Sequence, residues 1–275
     1  TVIVDASCNY TLPDYTGIPT VADNCTAVGA LVVTQSPVAG TVLNGDATTQ
    51  VVTLTVTDAN SNAADCSFTL TLDDDTAPTI TDCPTDATIS LDASCQFTLP
   101  DYTGIPTVAD NCTAAGALTV TQVPVAGTIL TGEGTTQLVT ITVTDADGLS
   151  SDCSFTLTMD DDTDPVITVC PSNANVTADA SCQFTMLDYT GGVTATDNCT
   201  ASGSLTITQS PIAGTVVSGT QVVTMTVDDG NGNTTTCQFT LTVDDITDPT
   251  ITDCPSDATV IVDASCNYTL PDYTG

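Results

Sequence analysis

The stretch Gln137–Met159, QLVTITVTDADGLSSDCSFTLTM, decides the fold class. Val139, Ile141 and Val143 alternate with Thr140, Thr142 and Thr144, the period of a strand with one buried face. After a turn carrying Asp145 and Asp147 the same period returns. Cys153, Phe155, Leu157 and Met159 face one way and Ser154, Thr156 and Thr158 the other, so the two runs read as a hairpin whose cysteine faces the core. Threonine fills the exposed positions and favours strand conformation without charge. Shorter runs at Thr88–Leu91, Cys95–Leu99, Leu118–Thr121 and Thr128–Leu130 bring the unit to about six or seven strands, with Gly and Pro at turns such as Val123–Gly127. That number suits a β-sandwich.

The unit recurs along the chain. Cys83, Cys95, Cys112 and Cys153 are followed by Cys170, Cys182, Cys199 and Cys237, at an offset of 87 for the first three and 84 for the last. Stepping back by 87 gives Cys8, Cys25 and Cys66, and stepping forward gives Cys254 and Cys266. The expected organisation is a tandem array of sandwiches of 84–87 residues, divided as 1–75, 76–162, 163–246 and 247–275, with the first and last truncated. The thirteen cysteines then fall as three, four, four and two, which requires no free reactive thiol. The third repeat loses three residues where LTGEGTTQ (130–137) becomes VSGTQ (217–221), a change that a hairpin loop tolerates. Residues 1–17, TVIVDASCNYTLPDYTG, recur unchanged at 259–275.

Composition narrows the function. The 275 residues include no Lys, Arg or His and carry a formal charge of −34, where an average chain has about 30 basic residues. Without a cationic patch, binding to nucleic-acid phosphates or to anionic lipid is excluded, and the natural counter-ions are metal cations. Hydrophobic residues at 41% argue for a folded chain. Six Tyr, five Phe and no Trp argue for small domains with aliphatic cores. No apolar run approaches a membrane span and the first residues lack signal-peptide regions, so an export signal is expected outside this segment. Ser–His and Ser–Lys activation are unavailable. An Asp-x-Asp-x-Thr nucleophile motif can only be forced onto Asp160–Asp164, which lacks the α/β sheet and the cationic residue that phosphoryl chemistry needs. A non-enzymatic role is expected.

Within a repeat the cysteine gaps of 12, 17 and 41 residues contain no Cys-x-x-Cys pair, which favours disulfides over zinc and implies an oxidising compartment. Three connectivities per repeat remain open on spacing alone.

Almost all the acid is aspartate, Glu133 being the only glutamate, and it gathers in three places per repeat. The linkers hold Asp73, Asp74 and Asp75, then Asp160, Asp161, Asp162 and Asp164, then Asp244, Asp245 and Asp248. The last hairpin holds Asp145 and Asp147, or Asp228 and Asp229. An Asp-Asn pair precedes the third cysteine as Asp110 and Asn111, or Asp197 and Asn198. In a sandwich the last two loops share one end, which faces the preceding linker, and six to eight oxygens make a calcium shell. Calcium at each junction is therefore expected to neutralise repulsion and lock neighbouring repeats. The plainer reading makes these aspartates solvated turn formers that keep the chain soluble. Ala77 replaces one possible ligand at the first junction and Ile246 interrupts the acidic run at the third, so the middle junction is expected to bind tightest.

Pro78, Ile80, Cys83 and Pro84, then Asp110, Asn111 and Cys112, then Cys153 and Phe155 resemble the hyalin repeat (HYR) pattern, and the third repeat adds Asp228, Gly230, Asn231, Cys237 and Phe239. Asp101 and Tyr102 depart from it where an aromatic residue often follows the second strand. The resemblance covers the whole chain and implies an immunoglobulin-like β-sandwich from an extracellular protein. It also implies pairing of Cys83 with Cys153 and Cys170 with Cys237, leaving Cys95 for Cys112, Cys182 for Cys199 and Cys8 for Cys25. Acidic, Thr-rich, Lys-free arrays are similar to the large SprB-type surface adhesins of gliding Bacteroidetes. The function so implied is a cell-surface stalk or filament for attachment or gliding, whose partners are neighbouring repeats, surface glycans or other filaments, with no direct membrane insertion. The alternative is an array of calcium-dependent glycan- or protein-binding modules, with Tyr15, Tyr102 and Tyr189 as contact residues.

Overall fold

In the second repeat the alternation of Val, Ile and Thr becomes two packed β layers. The computed structural model describes residues 1–273. One layer is a four-stranded sheet in the order Thr119–Val123, Thr136–Thr144, Ser150–Asp160, Ala87–Ser90. The first three strands are antiparallel, and Ala87–Ser90 runs parallel to Ser150–Asp160. The hairpin register sets Ile141 opposite Cys153 and Val139 opposite Phe155, so the two apolar rows meet on one face. There Val139, Ile141 and Val143 are 0% exposed, and Phe155, Leu157 and Met159 at most 3%. The other layer consists of short ladders, Thr79–Thr81 with Thr107–Ala109 and Gln96–Thr98 with Ile129–Thr131. Leu91, Leu99 and Leu130 complete the core. On the outer face Thr140 and Ser154 share a hydroxyl hydrogen bond of 3.0 Å, a cross-strand polar pair that needs no charge.

The first and third repeats keep this order. Their large sheets run Val2–Ile3, Ala63–Asp73, Thr49–Thr57, Val32–Ser36 and Ala174–Thr177, Thr234–Asp244, Thr220–Asp228, Thr206–Ser210. Among the described residues no strand follows Asp244 and no helix is long and apolar enough to cross a membrane. The chain forms two compact units. The first comprises residues 1–166 together with 195–206 and 228–235; the second comprises 167–194, 207–227 and the residues from 236 onward. The Asp-Asn-Cys loop and the last hairpin of the third repeat thus belong to the unit that contains the second repeat.

Each repeat buries one glutamine where the strand period calls for an apolar side chain: Gln35, Gln122 and Gln209. Gln122 Oε1 accepts the Tyr102 amide at 2.7 Å, and its Nε2 donates to the Pro100 and Pro124 carbonyls at 3.0 and 3.1 Å. The buried amide closes backbone groups that no ladder reaches.

The cystines are of two kinds. Cys83–Cys153 and Cys170–Cys237 lie within a repeat, with sequence separations of 70 and 67. Cys8–Cys112 and Cys95–Cys199 join consecutive repeats, both with a separation of 104 and a Cα–Cα distance of 4.9 Å. The expected pairs Cys8–Cys25, Cys95–Cys112 and Cys182–Cys199 are therefore corrected: Cys25 and Cys182 are exposed and unbonded, as are Cys66, Cys254 and Cys266.

The reason is local. In the Asp-Ala-Ser-Cys turn, Asp92 Oδ1 accepts the Ser94 and Gln96 amides at 2.8 and 3.1 Å, and Cys95 takes a left-handed φ of 57° at the tip. In the Asp-Asn-Cys loop, Asp110 Oδ2 accepts the Cys112 and Thr113 amides at 2.9 and 2.7 Å. Asn111 Nδ2 then donates to the Asp5 carbonyl at 3.3 Å, as Asn198 Nδ2 does to that of Asp92 at 3.2 Å. The Asp-Asn-Cys loops of the second and third repeats are thus docked on the turn of the preceding repeat, and Cys95 and Cys112 are committed to different junctions. On chain entropy, closing a loop of about 100 residues contributes about 4.7 kcal/mol.

Candidate metal centre

At the junction of the first two repeats three segments bring oxygens together. Asp74 comes from the linker after Ala63–Asp73, Asp110 and Asn111 from the loop after Thr107–Ala109, and Asp145 from the last hairpin. The ligand oxygens of Asp74, Asp110 and Asp145 lie within 4.8 Å of one another. Each carboxylate spends one oxygen on N–H donors. Asp74 Oδ1 accepts from the Thr76 amide at 3.1 Å and Asn111 Nδ2 at 2.9 Å. Asp145 Oδ1 accepts from the Asp147 and Leu149 amides at 3.0 and 2.8 Å. These bonds fix the side-chain rotations. The remaining oxygens, Asp74 Oδ2, Asp110 Oδ1, Asn111 Oδ1 and Asp145 Oδ2, are buried and accept no hydrogen bond.

The next junction repeats the arrangement with Asp161, Asp197 and Asp229, again within 4.8 Å. Asp161, only 2% exposed, uses Oδ1 for the Thr163 amide and Asn198 Nδ2, at 3.2 and 3.1 Å. Asp161 Oδ2, Asp197 Oδ1 and Asn198 Oδ1 are buried without a donor. Asp229 differs: Asn233 Nδ2 donates to its Oδ2 at 2.8 Å and to the Asp161 carbonyl at 2.7 Å. Burial works to raise the Asp229 pKa, but bonds from Asn231, Asn233 and Gly232 outweigh it and hold the carboxyl below its ordinary value.

Unlike the buried Asp74 and Asp161 of the first two linkers, their neighbours in the acidic runs are exposed. Asp73, Asp75, Asp160, Asp162 and Asp164 lie outside the clusters, Asp162 accepting from the Ser90 hydroxyl at 2.7 Å and Asp164 from the Thr234 amide at 3.1 Å. Asp228 accepts the Gly230 amide at 2.7 Å. Asp244, Asp245 and Asp248 join no cluster among the described residues; Asp245 caps the Thr247 amide at 2.9 Å. Ala77 is the counterpart of Asp164, which is not in a cluster, so the expected weakness of the first junction has no basis there. Two acids outside the expected set matter. Asp46 Oδ1 accepts the Asp74 amide at 3.0 Å, and Glu133, its counterpart one repeat on, accepts the Asp161 amide. The matching positions in Asn-Gly-Asp and Thr-Gly-Glu were the available signal. Exposed Asp147 is held above its ordinary pKa by desolvation and then by its hydrogen bond to Asp46.

Two unit charges 4.8 Å apart repel by about 3.5 kcal/mol at an effective dielectric constant of ~20, and this chain has no basic side chain to neutralise them. A cation fits the orphaned oxygens. An all-oxygen donor set without Cys or His selects a hard ion over zinc, and a carboxamide beside three carboxylates suits calcium, which takes six to eight oxygens in adaptable geometry.

Tyr15, Tyr102 and Tyr189 have packing partners. Each stands edge-on to a core phenylalanine, Phe68, Phe155 or Phe239, with ring centroids 5.0, 4.9 and 5.0 Å apart.

No protein-family model and no curated protein matches the chain, so the hyalin-repeat resemblance rests on its motifs. Among solved structures, protocadherin gamma B2 extracellular cadherin domains 1–5 match over 80% of this chain and 54% of that one, at 15% identity and a TM-score of 0.38. The protocadherin gammaB7 EC3–6 cis-dimer structure matches over 77% and 66%, at 17% and 0.36. Mouse cadherin-23 EC22–24 matches over 79% and 87%, at 15% and 0.34. The chain thus spans about half the length of the first of these and two thirds of the second.

Proposed function

We propose that this chain is a structural segment of an extracellular adhesive array, a disulfide-stapled stalk whose junctions are stiffened by calcium, and that it is not catalytic. The observation that carries this reading is the convergence of Asp74 Oδ2, Asp110 Oδ1, Asn111 Oδ1 and Asp145 Oδ2, buried without donors at a junction between repeats. Such a cluster has a function only when a cation holds the linker, the Asp-Asn-Cys loop and the hairpin together. Asp161 Oδ2, Asp197 Oδ1 and Asn198 Oδ1 repeat it one unit on, beside Asp229. The four cystines call for an oxidising compartment. Repeats divided at 75/76, 162/163 and 246/247, each boundary in an acidic linker, suit length and display more than chemistry. Attachment or gliding at a cell surface is the role in which such a segment serves.

Calorimetric titration of the cation-free chain with calcium tests this reading, paired with small-angle scattering in calcium and in chelator. The expected result is two sites per chain and particles that become flexible only on chelation. Absence of calcium binding at millimolar concentration would remove the cation, and a compact particle in both buffers would remove the stalk.

A further inference from the structure

Each junction in the first compact unit is crossed by two independent covalent connections. One is the backbone. The other is a cystine that skips the linker: Cys8–Cys112 spans the Asp74–Pro78 linker, and Cys95–Cys199 spans the Asp161–Pro165 linker. Both have the same separation of 104, and Cys112 lies only 17 positions after Cys95, within one repeat. A continuous route therefore enters the second repeat at Cys112, follows the chain back to Cys95 and leaves for Cys199 without touching either linker. The backbone route is shortened separately, by Cys83–Cys153 within the second repeat and Cys170–Cys237 within the third. The two routes share no cystine.

We propose that these cystines make the array a two-rail covalent ladder, in which the repeats stay joined after the polypeptide is cut in a linker. The linkers are where cutting is expected, since exposed acidic residues flank the buried aspartate there. With either rail broken the other still carries load across the junction. The inference does not depend on the cation, because covalent bonds alone define the ladder.

The sequence supplies its own test. Asp164–Pro165 and Asp248–Pro249 are the two Asp-Pro bonds of the chain, and mild acid hydrolyses such bonds selectively. Acid also unfolds the protein, and it suppresses thiol–disulfide exchange by removing thiolate. The full chain is alkylated to block free cysteines, cleaved in acid and run on a denaturing gel without and with reductant. The expected result without reductant is one species containing 1–164 and 165–248, held by Cys95–Cys199, with 249–275 released. Reductant then separates 1–164 from 165–248. Separation without reductant, the pattern required if Cys95 paired with Cys112 and Cys199 with Cys182, overturns the proposal. A Cys95→Ser, Cys199→Ser variant is the second arm: its fragments must separate without reductant, and fragments that stay joined there also overturn it. The gel reads connectivity in the unfolded chain, and loss of calcium binding leaves it unchanged.

Discussion

Asp74 and Asp161 show how little of an acidic run acts. Each stands among two or more exposed carboxylates, yet each alone is buried with one oxygen fixed and the other free. Asp74→Asn is expected to abolish calcium binding at the first junction and leave the second intact, so the calorimetric stoichiometry falls from two to one. In chelator the same variant is expected to be the more stable by on the order of 1 kcal/mol, because it removes one of three mutually repelling charges while its carboxamide oxygen still accepts from Asn111. A lower thermal midpoint for the variant in chelator would show that Asp74 is held by contacts other than those described. Gln122 is the matching case in the core. Gln122→Leu leaves the Tyr102 amide and the Pro100 carbonyl without partners and is expected to destabilise by about 1–3 kcal/mol, read from denaturant midpoints.

The hairpins and turns carry the pH dependence. Asp101 and Asp188 are held below their ordinary pKa by the hydroxyl and then the amide of Thr103 and Thr190, and Asp229 is lowered by the amides of its hairpin against its burial. A carboxyl with a depressed folded-state pKa contributes stability that is present above its unfolded value and lost as pH falls through the folded one. Thermal stability in chelator is therefore expected to decline below about pH 4. Asp147 has the opposite sign: its raised pKa, from desolvation and then Asp46, adds stability as the pH falls. Asp147→Asn is expected to make the acid decline steeper, and an unchanged profile would remove the Asp46–Asp147 contact from the account. Among the strands, Ile141→Ala removes a side chain with no exposure from the paired rows and is expected to destabilise by about 2–5 kcal/mol in the same denaturant assay.

For the whole molecule the cystines set how far the chain can be drawn out. Pulled from its ends with all four cystines intact, the shortest covalent route crosses about 90 residues, or about 310 Å at ~3.4 Å per residue. The reduced chain offers all 275 residues, or about 930 Å. Single-molecule stretching is expected to give an oxidised length near one third of the reduced one. Removing Cys95 and Cys199 leaves that length unchanged, because the route through Cys8–Cys112, Cys83–Cys153 and Cys170–Cys237 is equally short. A variant that lengthens would contradict the bypass through Cys83–Cys153.

Whatever depends on neighbours along the chain was legible before folding. The two-residue period of Gln137–Met159 placed Val139, Ile141, Phe155 and Leu157 in the core, because strand geometry sends alternate side chains to opposite faces. The Asp-Ala-Ser-Cys turn is equally local. It forms at Asp263–Cys266, where no strand follows, with the Ser265 and Asn267 amides on Asp263 as on its three counterparts. Tertiary structure decided partners. Cys95 and Cys112 lie close in sequence, but which cysteine each meets depends on the docking of an Asp-Asn-Cys loop against the turn of the preceding repeat. The same docking chose Asp74 from Asp73, Asp74 and Asp75, and brought in Asp46 and Glu133 from loops that carry no acidic run. Composition counts charges, whereas a metal centre needs oxygens from three segments aimed at one point, and only the packed repeats bring those segments together.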